Sequence, residues 1–120
     1  MIVFDGVAKR FGSRLILDDL NFTVRDGEFV SIVGDSGSGK TTLIKLILGI
    51  EQPTEGSIFV DDVSVHKMDT GVMQNHRRSI GCVFQDAKLL GDKTVFENVA
   101  FPLELTGHPL HRINEFVPEA

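Results

Sequence analysis

One cysteine among 120 residues leaves no internal disulfide to form, a composition that suits a reducing compartment. No stretch of eighteen apolar residues occurs, so no transmembrane helix is expected. The opening MIVFDGVAKRF lacks the basic-then-apolar order of a secretory signal. The cytoplasm is therefore the expected location. Positive charge is also short: 12 Lys+Arg stand against 17 Asp+Glu, a formal net charge of −5. A general nucleic-acid binder shows the opposite excess, so no nucleic-acid partner is expected. Repeats and low-complexity tracts are missing as well. What remains is ordinary for a folded domain, with 42% hydrophobic and 24% charged residues, which excludes disordered and fibrous classes. A chain of this length is one domain or part of one and buries about two thirds of its unfolded surface.

Residues 2–7 read as a first strand. Leu20, Phe22 and Val24 alternate with Asn21, Thr23 and Arg25, the period of a half-buried strand. Asp26-Gly27 has the chemistry of a tight hairpin turn. The apolar run 29–33 predicts a strand covered on both faces, as in a parallel α/β sheet. Leu43, Ile44, Leu46, Ile47, Leu48 and Ile50 predict a helix over 41–50 that is apolar around most of its circumference and buried on the sheet. Gly49 lies near its end, turn residues fill 53–56, and strands are expected at 58–60 and 80–84. Residues 66–79 show no period and read as a loop with a helical turn. Thr94 and Glu97 form a capping box before a helix carrying Val95, Val99 and Leu103, kinked at Pro102 and ended by Gly107. Pro118-Glu119 has the opening of a further helix, yet the sequence stops at Ala120, which reads as a fragment.

The chemistry concentrates in Gly34-Asp35-Ser36-Gly37-Ser38-Gly39-Lys40-Thr41, which matches G-x-x-x-x-G-K-[ST] between an expected strand and an expected helix. Glycines let successive backbone N–H groups turn inward around phosphate oxygens with no Cβ in the way. The helix N-terminus adds free donors and a favourable dipole. Lys40 would reach the β- and γ-phosphates, and the Thr41 hydroxyl would ligate Mg²⁺. Asp35 is expected to point its carboxylate away from the anion.

With GDSGSGKTTL as a Walker A motif, VFQD placing Gln85 at a Q-loop position, and KRFG placing Phe11 where an aromatic stacks on adenine, the whole chain resembles the first half of an ABC-type ATPase. The resemblance implies an α/β P-loop NTPase fold of the ABC ATPase type, N-terminal part only. Residues 1–120 would form a partial ATP-binding domain with a mixed sheet. It implies ATP and Mg²⁺ as cofactors, held by Phe11, Gly34, Asp35, Ser36, Gly37, Ser38, Gly39, Lys40, Thr41 and Thr42, with Thr41 and Gln85 at the metal. Gln85 would also position the attacking water. The Walker B carboxylates, signature loop and switch histidine of that family lie past the Q-loop and are not in these residues, so this chain alone is expected to bind ATP without hydrolysing it. GIEQPTEGSI and RRSIGCVFQDAKLLGDKTVFENVAFPLEL are most like the FtsE cell-division branch. That branch implies homodimers working with an integral membrane subunit, FtsX-like, on the inner face of the cell membrane. Methionine-importer and lipoprotein-exporter ATPases are near relatives of that branch.

Other candidates have plainer readings. Cys82 reads as a core residue. His108 and His111 are spaced i, i+3 with no further ligand nearby. Arg77-Arg78 reads as solvated surface, with a membrane-partner contact as the sharper alternative. Asp62 stands where the family often has a turn glycine, and His76 where it usually has an apolar residue. A GTPase would need an N-K-x-D stretch, which the sequence lacks. A non-catalytic nucleotide-binding module remains a rival.

Overall fold

The structure, a computed structural model, describes residues 1–86 and 88–119. These fall into two compact units, Met1–Gly81 and Cys82–Ala120. Ala120, on which the fragment reading rests, lies outside the described residues.

In the first unit the strand periodicity gives a four-stranded antiparallel sheet of order β2-β1-β3-β4. Its strands are β1 (Ile2–Phe11), β2 (Arg14–Val24), β3 (Glu55–Val60) and β4 (Val63–Ser64). The alternation holds on β2: Leu20, Phe22 and Val24 are half-buried, while Asn21 and Thr23 face water. Phe22 stacks on Phe4 with ring centroids 4.5 Å apart. The sheet packs Phe4, Val7, Leu17 and Ile58, joined by Val65 just past β4, against Leu43 and Leu46 of helix α1 (Lys40–Ile47). Only one side of α1 has a sheet to meet, so Ile44 stays 38% exposed and the expected all-round burial does not occur. Where β3 crosses β1, a Cβ on Gly56 would lie 2.2 Å from the Gly6 carbonyl oxygen, and its φ is +77°. Only glycine fits both demands. Asp61 and Asp62, at φ +48° and +64°, make the two-residue turn between β3 and β4. That left-handed pair explains why a glycine is common at the second position.

The runs 29–33 and 80–84 form no strand, contrary to their pattern: Phe29 is 95% exposed, Val33 91% and Val83 fully. A strand exists only where a neighbour shares its hydrogen-bond ladder, and among the described residues neither run has one. The expected mixed sheet is for that reason antiparallel throughout among the described residues. Asp26-Gly27 does turn the chain, with Glu28 N–H donating to Arg25 O at 3.1 Å, but it leads out of β2 into an unpaired run rather than a hairpin.

Residues 66–79 are more ordered than their composition promises. After a 3-10 turn at Val65–Lys67, helix α2 (Thr70–Arg78) starts on Asp69, whose carboxylate accepts from Val72 N–H at 2.9 Å. At its other end His76 is 8% exposed, its Nε2 2.7 Å from Ile47 O. A carbonyl only accepts, so Nε2 carries the proton. Arg77 donates from Nε to Leu48 O at 2.9 Å and from Nη2 to Gly49 O at 2.8 Å. The two side chains satisfy carbonyls that the end of α1 leaves open and complement its dipole. Arg77 is thereby a helix clamp, not plain solvated surface, and His76 takes the place of an apolar residue because its proton has an acceptor.

The second unit holds α3 (Val95–Leu105) and α4 (Leu110–Phe116), with Ala100, Ile113 and Val117 as a small core backed by Leu103. The capping box forms as expected: Thr94 accepts from Glu97 N–H, and Glu97 accepts from Thr94 N–H at 2.8 Å. Pro102 lies inside α3, which ends two residues before Gly107. Pro118 belongs to a 3-10 turn (Val117–Glu119) that prolongs α4 and does not open a new helix. Cys82 is half-buried, not core. No helix among the described residues is long and apolar enough to cross a membrane.

Candidate functional site

The glycine-rich loop leads into α1 as expected, but it follows the unpaired run 29–33 and not the expected strand. Gly34 to Ser38 are exposed and Gly39 is buried. Gly37 (φ +79°) and Gly39 (φ +99°) take the left-handed conformation that brings successive N–H groups to one side. Ser38 N–H closes a turn on Asp35 O at 3.2 Å.

Gly39 is the N-cap of α1 and offers no side chain to its free N–H groups, and the first turn carries no acid. The first intrahelical bond is Leu43 N–H to Gly39 O, 2.9 Å. The N–H groups of Lys40, Thr41 and Thr42 thus come before the first bond of the ladder, at the positive end of the helix dipole.

Lys40 turns back over the loop. Its Nζ donates to Gly34 O and Asp35 O at 2.7 Å each, with Ser38 Oγ at 3.4 Å. The ammonium therefore lies at the loop that an anion would enter, held by neutral carbonyls. An incoming polyanion offers it charged acceptors, which make bonds about twice as strong. The residues present fit a phosphate chain. Thr41, exposed in the first turn, leaves its hydroxyl open to a cation beside such a chain.

Sequence reasoning missed the wall behind the loop. A Cβ on Gly39 would lie 2.8 Å from Leu17 Cδ2 and 3.0 Å from Ile16 Cγ2. Ile16 reaches that position because β2 bulges there: Lys9 pairs with Leu17 and Arg10 with Leu15, leaving Ile16 unpaired between them. Nothing in the pattern of 14–17 signals a bulge. Phe11 closes the same hairpin, paired with Arg14 and 46% exposed. Arg14 and Ile16 are about 7 Å apart along β2, so the aromatic ring and the loop belong to one end of one hairpin. Gln85 is in the second unit, exposed at a bend after the unpaired run 80–84 rather than at a strand end.

Residues 17–119 match the ABC transporter family. The chain is 46% identical, over 99% of its length, to the cell division ATP-binding protein FtsE of Mycobacterium tuberculosis, and spans 53% of it. It is 42% identical, over 97% of its length, to the methionine import ATP-binding protein MetN of Rhizobium meliloti, spanning 34% of that protein. The chain thus covers about half, or less, of these relatives. Among solved structures it superposes with TM-score 0.86 and 33% identity on the ATP-binding cassette MJ0796, a dimer in a post-hydrolysis state bound to ADP and Pi. That match covers 99% of this chain and 55% of the other.

Proposed function

This chain belongs to the ABC transporter family, and we propose that residues 1–120 are the N-terminal part of an ABC ATP-binding domain whose glycine-rich loop holds MgATP. The observation that carries the proposal is the meeting at one point of left-handed glycines, an uncapped helix N-terminus free of acid, and the Lys40 ammonium. The N–H groups of Gly34, Asp35, Ser36, Gly37, Ser38 and Gly39 would cradle the phosphates, joined by those of Lys40, Thr41 and Thr42. Lys40 would exchange its two carbonyl acceptors for phosphate oxygens, and Phe11 would stack on adenine. The Thr41 hydroxyl would hold Mg²⁺, which supplies charge neutralisation to the phosphates when bound.

In the whole protein these residues would serve ATP hydrolysis, with the general base supplied by residues outside 1–120. The assembly would be a homodimer on the inner face of the cell membrane, coupled to an integral membrane subunit. The likeness to FtsE favours a cell-division role with an FtsX-like partner. A 42% identity to MetN supports a second reading, the ATPase of an importer. Recovery of the membrane subunit with the whole protein from detergent extracts separates the two.

The loop assignment is tested by Lys40→Ala in the whole protein. MgATP affinity measured by calorimetry is expected to fall roughly 10- to 100-fold with thermal unfolding unchanged. Undiminished affinity overturns the assignment.

A further inference from the structure

We propose that Lys9 is a positioning residue for the base of the bound nucleotide, acting through Phe11. The proposal rests on the reading of Phe11 as the base-stacking aromatic. Lys9 and Phe11 are two residues apart on β1 and share a face of the strand. Lys9 is 8% exposed, an unusual place for an ammonium, yet every side of its charge is met. Nζ donates to Glu51 Oε2 at 2.9 Å and to Gln52 O at 2.7 Å, and it lies 4.7 Å from the centroid of the Phe11 ring. An ammonium has three donors, and here two carry hydrogen bonds while the remaining side faces the ring.

The consequence for the ring is one-sided. Lys9 covers one face of Phe11 and pins its plane, so a base can approach only the other. Phe11 keeps 46% of its surface exposed for that purpose. The anchor of Lys9 comes from the far side of the phosphate site: Glu51 and Gln52 follow the end of α1, where Glu51 N–H donates to Lys45 O at 3.2 Å. The same stretch is laced to β1 by Thr54 N–H to Ala8 O at 2.8 Å and by Arg10 N–H to Thr54 Oγ1 at 2.9 Å. One end of α1 thus builds the phosphate loop, while the chain leaving its other end fixes the orientation of Phe11. Base and phosphate positions are set by one helix about 12 Å long.

The test is a double-mutant cycle in the whole protein, with Lys9→Met, Phe11→Leu and the double variant. Affinity is read for MgATP and, separately, for magnesium triphosphate, which has no base. Lys9→Met is expected to weaken MgATP roughly three- to tenfold and to leave triphosphate unchanged. It should cost nothing further once Phe11 is Leu, and Lys9→Arg should restore MgATP binding. An unchanged MgATP affinity, or equal losses for both ligands, overturns the proposal. So does the same Lys9→Met loss in the Phe11→Leu background. If Phe11→Leu alone leaves MgATP binding intact, the base-stacking reading fails and this proposal with it. Should Lys9→Met not fold, Glu51→Ala frees the ammonium from its anchor. It must then show the same ligand difference, and equal or absent losses overturn the proposal in that variant too.

Discussion

In the unit Met1–Gly81, residues far apart in sequence hold one another: the Lys9 and Glu51 side chains, His76 with the Ile47 carbonyl, and the Met1 ammonium with Asp61. In the unit Cys82–Ala120 the side-chain hydrogen bonds among the described residues reach no further than Leu90 to Asn98. Asn98 alone ties Leu90, Lys93 and Thr94 through their carbonyls, and Thr106 closes on Pro102 and Leu103. The first unit is therefore a cooperative structure, in which any tie depends on the whole sheet being formed. The second is a set of helix caps around a core of Ala100, Ile113 and Val117, with Leu105 and Leu110 left 62% and 72% exposed. Local order of that kind opens at low cost.

Substitutions in the two cores break this comparison most sharply. Gly56→Ala places a methyl group on backbone that cannot yield and in a strained φ, so a loss of about 4 kcal/mol is expected across the first unit. Ile113→Ala removes the centre of the smaller core and costs about 3 kcal/mol at most. Hydrogen exchange reads both. The first change should raise exchange throughout β1, β2 and β3 together, the second only in α3 and α4. Equal spread of both effects over the whole chain would show one cooperative body and undo the contrast.

A smaller effect tests the clamp on α1. His76→Ala leaves Ile47 O without its donor in a buried place and should cost about 1–2 kcal/mol. Arg77 is exposed, and Arg77→Ala should cost about 1 kcal/mol or less, water replacing the guanidinium at Leu48 and Gly49. If the ranking is reversed in denaturant melts, the exposed pair holds the helix end and the buried one does not.

The contrast also explains what the sequence made legible. Periodicity and glycine spacing foretold β1, β2, β3, α1 and the loop at 34–39, because those signals are local. The capping box at Thr94 was equally plain. Helix α2 was missed because its order comes from outside it, from carbonyls of α1 that only the fold brings near His76 and Arg77. Helix α4 was missed although Leu110, Ile113 and Val117 recur at helical spacing, a signal too short to stand without its core. The runs 29–33 and 80–84 show the opposite failure. Their apolar pattern is real, but a strand needs a partner, and pattern alone does not provide one. Ile16 behind Gly39 depends on a bulge that leaves no trace in residue type.

The smallest expected effect has opposite sign in the two units. The Met1 ammonium is held by Asp26 at 2.5 Å and by Asp61 at 2.6 Å, and these bonds raise its pKa from 8.0 to about 10. A raised pKa means that the folded form binds the proton more tightly. The contribution is thus complete below pH 8.0 and fades as pH rises through about 10. Glu97 is shifted the other way, held below its ordinary 4.5 first by the Thr94 backbone N–H and then by the Thr94 hydroxyl. Its contribution is complete above that value and is lost as pH falls through the lowered pKa. Both groups lie at the surface, so the shifts mark local ties rather than large stabilities. Amide NMR signals followed with pH should show Thr94 and Glu97 moving only on the acid side, and Asp26 and Asp61 moving near pH 10. Thr94→Ala should erase the first response and leave the second. If acid disturbs the Met1 end of β1 as early as it disturbs α3, the carboxylates Asp26 and Asp61 govern that end, and the ammonium is not what sets its pH dependence.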